Sequence, residues 1–518
     1  MTTRADLIIT SARLWDGSPL DAEAIAIAAG KVQARGSNRD VMPLRSDDTR
    51  LIDVAGRRVV PGLIDSHIHL VRAGRTWTAE VRWEGLNTLE QGLAAIADHV
   101  ERLSPGSWTG VIGGWHPAQF DEGRPPTRAE LDKAAPEHPV FVHRNYVEAL
   151  LNSRALDAMG WNDEDSDGRV TDPVSLAGLR SAVSNDEPAM VDSTREMLRE
   201  LNRLGLTGAI DAAGFGMTAD SYGPFFELFD RGERGFRTRL LVGAATPGAE
   251  RADFGRWVET VAPGAGDDFV RYLGAGELLT YAAHDMEGLS SKDVSPATAE
   301  LAVISQDLAD RGWPVHVHGI LDSSVGAILE AWETLEPRGR LAELRYAICH
   351  ADQVGEENLR RIAELGVGVA LQGGMAFRGV DSAATWTTAQ LEQAPRPRTM
   401  LDLGIPVGAG SDGTVAASYN PWTCISWLVT GKTIDGSAPR DEGQLVDVSE
   451  ALRLYTSGSA WFSFEEDTRG NLQPGSHADL AVLSTDPLTS SPDSLPTIES
   501  VMTIVGGEIV HSSIETRG

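Results

Sequence analysis

The stretch Pro61-Gly62-Leu63-Ile64-Asp65-Ser66-His67-Ile68-His69 decides how this chain is read. Leu63-Ile64 is an apolar, strand-like run, and Pro61-Gly62 punctuates its start. Side chains on a strand alternate between faces, so His67 and His69 project the same way. Two imidazoles on one face at a strand end can bind one divalent metal. Alone the pair says little, because a single histidine is commonly a hydrogen-bonded core or surface residue. Its meaning depends on what the rest of the chain brings to the same place.

Before this stretch, short strands are expected at Leu7–Thr10, Ala24–Ala28, Lys31–Ala34 and Arg50–Asp53, with turns at Gly30 and Gly56. After it, residues 71–200 form a long excursion. It opens with a helix near 88–103, where Thr88 and Gln91 stand at capping-box spacing. Gly110–Trp115 and Pro139–His143 are strand candidates, and a second helix is predicted to start near Ser193. From about 205 the pattern alternates regularly. Strand-like runs occur at Gly208–Asp211, Thr238–Val242, Val270–Leu273, Pro314–His318, Tyr346–His350, Val367–Leu371 and Pro406–Gly408, with helical patterns such as 298–311 and 355–364 between them. Strands alternating with helices imply a parallel sheet. With the Leu63 strand the count reaches the eight that a (β/α)8 barrel requires. Short strands return at Leu480–Leu483, Val501–Val505 and Glu508–His511.

Composition removes several function classes. The 518 residues carry 45 basic and 75 acidic side chains, a formal charge of -30. That charge disfavours a binder of nucleic-acid backbone and docking on anionic membranes. No apolar run approaches the ~20 residues of a membrane span. The two cysteines, Cys349 and Cys424, form no CxxC motif. A soluble cytoplasmic enzyme with a small-molecule substrate, able to form a homodimer, is expected.

Later strands supply the context that His67 and His69 need. Val315-His316-Val317-His318 ends in histidine, as does Tyr346-Ala347-Ile348-Cys349-His350, and Gly408-Ala409-Gly410-Ser411-Asp412 ends in aspartate. In a barrel the C-terminal strand ends converge on one site. Four histidines and a carboxylate make a nitrogen–oxygen site suited to Zn²⁺, and also to Fe, Mn or Ni.

These motifs resemble those of the amidohydrolase superfamily. The opening stretch looks like its first ligand motif. His318 with Asp322, His350-Ala351-Asp352 and Gly410-Ser411-Asp412 look like its later ones. Gly470-Asn471-Leu472-Gln473-Pro474-Gly475 with Ala478-Asp479-Leu480 resembles the return to its small β-domain. Gly113-Gly114-Trp115 and Leu150-Leu151-Asn152-Ser153 narrow the resemblance to the amidohydrolase-3 group, which includes N-substituted formamide deformylases. The resemblance implies an α/β fold: a TIM-type barrel over 61–469, a composite β-sandwich from 1–60 and 470–518, and an inserted segment over the barrel mouth at 71–200. It implies that His67 and His69 bind one metal and that His318 and His350 bind a second, or that one of them binds substrate if the site holds a single ion. Asp412 would ligate metal and act as the catalytic base.

Two departures stand out. Many relatives carry a carboxylated lysine on the fourth strand, and here Arg271 is read at that position. Glu277 is expected to supply the bridging carboxylate instead. At Arg144-Asn145-Tyr146-Val147 a histidine common in the group is missing, although His143 is close by. Trp115, His143, Asp322, Arg378 and Trp422 are the candidate substrate contacts. His116 is a further loop candidate, and Trp77, Trp83, Met375 and Phe377 are candidate pocket walls. The expected reaction is hydrolysis of a C–N bond in an amide, formamide or carbamate. A decarboxylase or isomerase on the same barrel is the alternative, and a metal-free relative is disfavoured by the retained ligands.

Overall fold

The computed structural model describes residues 4–161, 167–183, 187–285, 297–337 and 339–514. Eight strands form the central parallel sheet: β1 (Leu63–Ile68), β2 (Leu206–Asp211), β3 (Arg237–Val242), β4 (Val270–Glu277), β5 (Val315–Leu321), β6 (Ala347–Gln353), β7 (Gly368–Gln372) and β8 (Val407–Gly410). They pair in chain order. Nearly every residue in them is buried, as a sheet covered on both faces requires. Just past β8 the ring is drawn shut: Asp412 N donates to His67 O at 2.9 Å, and His69 N donates to Gly413 O at 3.0 Å. Gly410 makes this seam possible. A Cβ there would lie 2.6 Å from both Asp65 Oδ1 and His67 N, so no larger residue lets β8 approach β1.

Ile210, Leu241, Leu273, Cys349 and Ala370 pack with Phe462 as one buried cluster inside the barrel. Below it the carboxylate of Glu465 gathers Arg239 at 2.6 Å, Arg469 at 3.0 Å and Arg271 at 3.2 Å. Asp479, from the Ala478-Asp479-Leu480 motif, pairs with Arg237 at 2.7 Å. Those pairs tie the last part of the chain to the underside of the barrel.

Both ends of the chain contribute to two small sheets. One orders Lys31–Gly36, Ala24–Ala28, Leu7–Thr10 and Arg50–Asp53; the other orders Arg13–Leu14, Arg58–Pro61, Leu480–Leu483, Ser500–Val505 and Glu508–Ser512. Leu7, Ile9 and Ile25 share one core with Leu480, Val482 and Ile504. The excursion after β1 builds its own four-stranded sheet from Thr109–Val111, Val140–Arg144, Glu148–Leu151 and Arg169–Val170. Gly113 holds it to the barrel loops, because a Cβ there would meet Val415 O at 2.2 Å.

The capping box at Thr88 forms as read, with Gln91 bonded back to the Thr88 backbone. Ser193 does not start a helix. The helix runs Glu187–Arg203, and the Ser193 hydroxyl accepts from Thr78 N at 3.2 Å instead of capping. Among the described residues no helix is long and apolar enough to cross a membrane.

Candidate metal centre

Six side chains from five strand ends converge on one point. His69 lies one residue beyond β1 and Asp412 two beyond β8. His318 and His350 are expected at strand ends, but β5 and β6 each continue three residues past them. The geometry survives because the ends of these strands are locally irregular. His350 has φ +75° and Asp412 φ +57°, left-handed values that non-glycine residues hold only where the surroundings impose them.

Glu277, the last residue of β4, is the hub. Its Oε1 lies 3.5 Å from His69 Nε2. Its Oε2 lies 3.5 Å from His67 Nε2, 3.2 Å from His318 Nδ1 and 3.3 Å from His350 Nε2. Asp412 Oδ1 is 3.2 Å from His69 Nε2 and 3.8 Å from His67 Nε2. Two overlapping sets, His67–Glu277–His350 and His67–His69–Asp412, each bring three donor atoms within 4.8 Å of one another.

The donor chemistry fits a divalent metal. Both ring nitrogens of His67, His350 Nδ1 and Asp412 Oδ2 are buried without hydrogen-bond partners. Polar atoms left in that state are costly unless something else satisfies them. Burial holds His67 down to about 3, a neutral ligand form. Burial opposes protonation of His69 too, but the Asp412 hydrogen bond and the Glu277 and Asp412 charges outweigh it and raise His69 to about 10. Glu277 is held well below the carboxylate range, since His67, His318 and His350 overcome its burial. His318 is also raised well above its ordinary value, since Asp285 and Glu277 outweigh its burial, so metal binding would displace protons from His69 and His318.

Two imidazoles are oriented from behind. His69 Nδ1 is 2.7 Å from Ala213 O, which leaves Nε2 for the centre. His318 Nε2 is 2.7 Å from Asp285 O and 3.0 Å from Asp285 Oδ1, which leaves Nδ1. The Asp285 carboxylate is fixed in turn by Ile320 N and Leu321 N. Replacing Asp285 by alanine should weaken metal affinity about 10–100-fold, read by competition with a chromophoric chelator. Unchanged affinity would show that Asp285 does not position His318.

Asp322, expected as a substrate contact, is committed elsewhere. Its carboxylate is taken up by Gly355 N at 2.6 Å and Asn358 Nδ2 at 2.8 Å. Arg271 is also misplaced by the sequence reading. Six residues before Glu277 on an extended strand is about 20 Å away. Arg271 pairs with Glu465 on the underside, so Glu277 itself occupies the active end of β4.

A cavity of about 400 Å³ opens beside His69 and Glu277, a size suited to a small molecule. Of the aromatic candidates, Trp115 and Trp422 do not line it. The Trp115 indole donates to His143 O at 2.9 Å inside the insert's core with Trp83, and Trp422 donates to Leu204 O at 3.1 Å. Met375 and Phe377 are buried in the barrel's outer core. Trp77 packs against Tyr419 and Arg82. Arg378 is buried on Asp352. His116 faces Asp381 at 3.4 Å. His316 lies one layer below His318, against Phe462. His143 sits just behind the wall, 3.3 Å from Arg180 Nη1. The lining consists instead of Arg72, Tyr146, Arg180, Phe215, Met217 and His284, among others. His284 stacks on His318 with ring centroids 3.8 Å apart. No local motif marks these residues; only their place on loops after barrel strands could have flagged His284, Asp285 and Phe215.

Known proteins show the same architecture. A family model for the amidohydrolase family matches residues 50–511. An N-substituted formamide deformylase of Arthrobacter pascens is 26% identical, over 98% of this chain and 98% of that protein. An uncharacterized metal-dependent hydrolase from Pyrococcus horikoshii superposes with a TM-score of 0.67 at 19% identity, covering 94% of this chain and 99% of its own. An adenosine deaminase from Xanthomonas campestris with bound zinc does so with a TM-score of 0.57 at 16% identity, covering 100% and 96%. Since the family match runs through every strand that brings a donor to the centre, the chain belongs to the amidohydrolase family and is a metal-dependent amidohydrolase.

Proposed function

We propose that this enzyme hydrolyses a C–N bond of a non-peptide amide, formamide or carbamate at a zinc centre held by His67, His69, Glu277, His318, His350 and Asp412. The observation that carries the reading is Asp412. Its Oδ1 is engaged by His69, while its Oδ2 is buried, unpartnered and free to receive a proton. The metal, when bound, supplies an attacking water acidified toward a pKa of about 7 and polarises the scissile carbonyl. Asp412 Oδ2 accepts the proton of that water and passes it to the departing nitrogen. His69 holds Asp412 Oδ1 in place. Glu277 presents Oε1 to His69 and Oε2 to His67, His318 and His350, so it would be the one carboxylate shared by all four histidines when metal is held there.

The excursion at 71–200 would close the barrel mouth, and residues 1–60 with 470–518 would form the accessory β-domain. The 26% identity to a formamide deformylase favours small N-substituted amides. Both cysteines are free and buried, as suits a reducing cytoplasm.

The test is a screen of N-substituted formamides, amides and carbamates with purified, metal-quantified enzyme. Hydrolysis should vanish with chelator and return with Zn²⁺. A metal-loaded enzyme silent on all three classes, yet active on a carboxylated aromatic acid, would transfer the site to decarboxylation.

A further inference from the structure

The chain carries a formal charge of -30, yet the cavity beside the metal centre gathers three arginines, Arg72, Arg75 and Arg180. Among the described residues of the same wall the one acid is Glu277, whose oxygens face the four histidines. Arg72 stands on the helix Leu70–Thr76, three residues after His69, so the chain that delivers a metal donor also delivers this cation. Its Nη2 donates to Thr414 Oγ1, two residues past Asp412. Its Nε is buried and has no partner. Among the described residues no carboxylate forms an ion pair with Arg72. Burial, and the like charges of Arg82 and Arg180, pull the guanidinium below its ordinary value, and Glu80 and Tyr146 offset only part of this. Across the cavity Arg180 is steadied by His143 Nε2 at 3.3 Å and by the Tyr146 ring at 5.5 Å.

A part-buried cation that no described carboxylate pairs with is costly, and an arginine edge matches the two oxygens of a carboxylate. We propose that the substrate is an anionic amide whose carboxylate docks between Arg72 and Arg180 while its C–N bond lies at Glu277 and Asp412. This rests on the C–N hydrolase reading above and sharpens it to an N-formyl, N-acyl or N-carbamoyl amino acid or similar acid. In a strongly acidic protein, such a positive pocket also draws an anion past an otherwise repulsive surface.

The test compares two substrates that differ only in the carboxylate, N-formylphenylalanine and N-formylphenethylamine, in the metal-loaded enzyme. Their ratio of kcat/KM cancels any general loss of metal or fold in a variant. The wild type should favour the acid by at least about 10²-fold, since a site built for a charged group rejects an analogue that leaves it unpaired. Arg72→Gln and Arg180→Gln should each shrink that ratio by about tenfold or more, and Arg72→Lys should restore part of it. Calorimetric binding of phenylalanine against phenethylamine should follow the same order without turnover. Equal use of both formamides, or a preference that both arginine variants keep, overturns the carboxylate site while the hydrolase reading stands. Failure of the metal-loaded enzyme on both formamides and on amides and carbamates generally removes the hydrolase reading and this inference with it.

Discussion

Asp412→Asn should lower kcat by about 10²–10⁴-fold, the contribution of a positioned general base. The substitution is diagnostic because of how the carboxylate is held. Oδ1 faces His69 at 3.2 Å, and an amide oxygen can keep that contact. Oδ2 accepts no hydrogen bond, so an amide nitrogen placed there confronts no donor. The side chain is 1% exposed and the replacement nearly isosteric, so packing is preserved. What the asparagine loses is negative charge and the capacity to take a proton. Metal content measured by emission spectrometry should therefore stay close to wild type while steady-state turnover collapses. Turnover within tenfold of wild type at equal metal content would remove Asp412 from the role of base.

Glu277→Ala should cost metal before anything else. The carboxylate is the one group within 3.5 Å of all four histidines, through Oε1 to His69 and Oε2 to the other three. Without it, His318 and His350 lose the anion that draws their ring nitrogens together. Residues that only orient a ligand are worth about 10–100-fold in metal affinity, and a direct donor should exceed that. We expect the variant to hold at most about half of the wild-type metal and to lose more than about 10²-fold in kcat/KM. Glu277→Asp keeps the charge on a chain one methylene shorter and should fall between the two. An unchanged metal content in Glu277→Ala would show that the four histidines and Asp412 suffice and that Glu277 bridges nothing.

These two variants separate roles that one cluster of buried charges would otherwise blur. Asp412 and Glu277 are both buried, and both are held below the carboxylate range by neighbouring histidines that outweigh burial. They differ in what their second oxygen meets. For Glu277 it meets three imidazoles, and for Asp412 it meets none.

The sequence by itself determined the eight-strand alternation and placed His67, His69, Glu277, His318, His350 and Asp412 towards one end of the strands, since each follows an apolar run at a fixed place in a repeating unit. Periodicity and strand-end position are local properties, so a linear reading reaches them. It erred where a role depends on what lies opposite. Glu277 is expected from the sequence as the fourth strand's carboxylate, but Arg271, read at the lysine position, lies with Glu465 on the underside of the barrel. Asp322 is four residues from His318, yet helix geometry turns it to Asn358, and Asp285 approaches His318 from 33 positions away. Trp115 and Trp422, expected as substrate contacts, lie in packed cores, because an aromatic side chain does not announce what will cover it. Arg72, unmarked in the sequence, gains its meaning from the loop after β8 that brings Thr414 to it and the helix Pro173–Ala182 that brings Arg180 to the same cavity, with its Nε left without a partner. Tertiary structure alone decided these points, because burial, charge pairing and reach are set by residues distant in the chain.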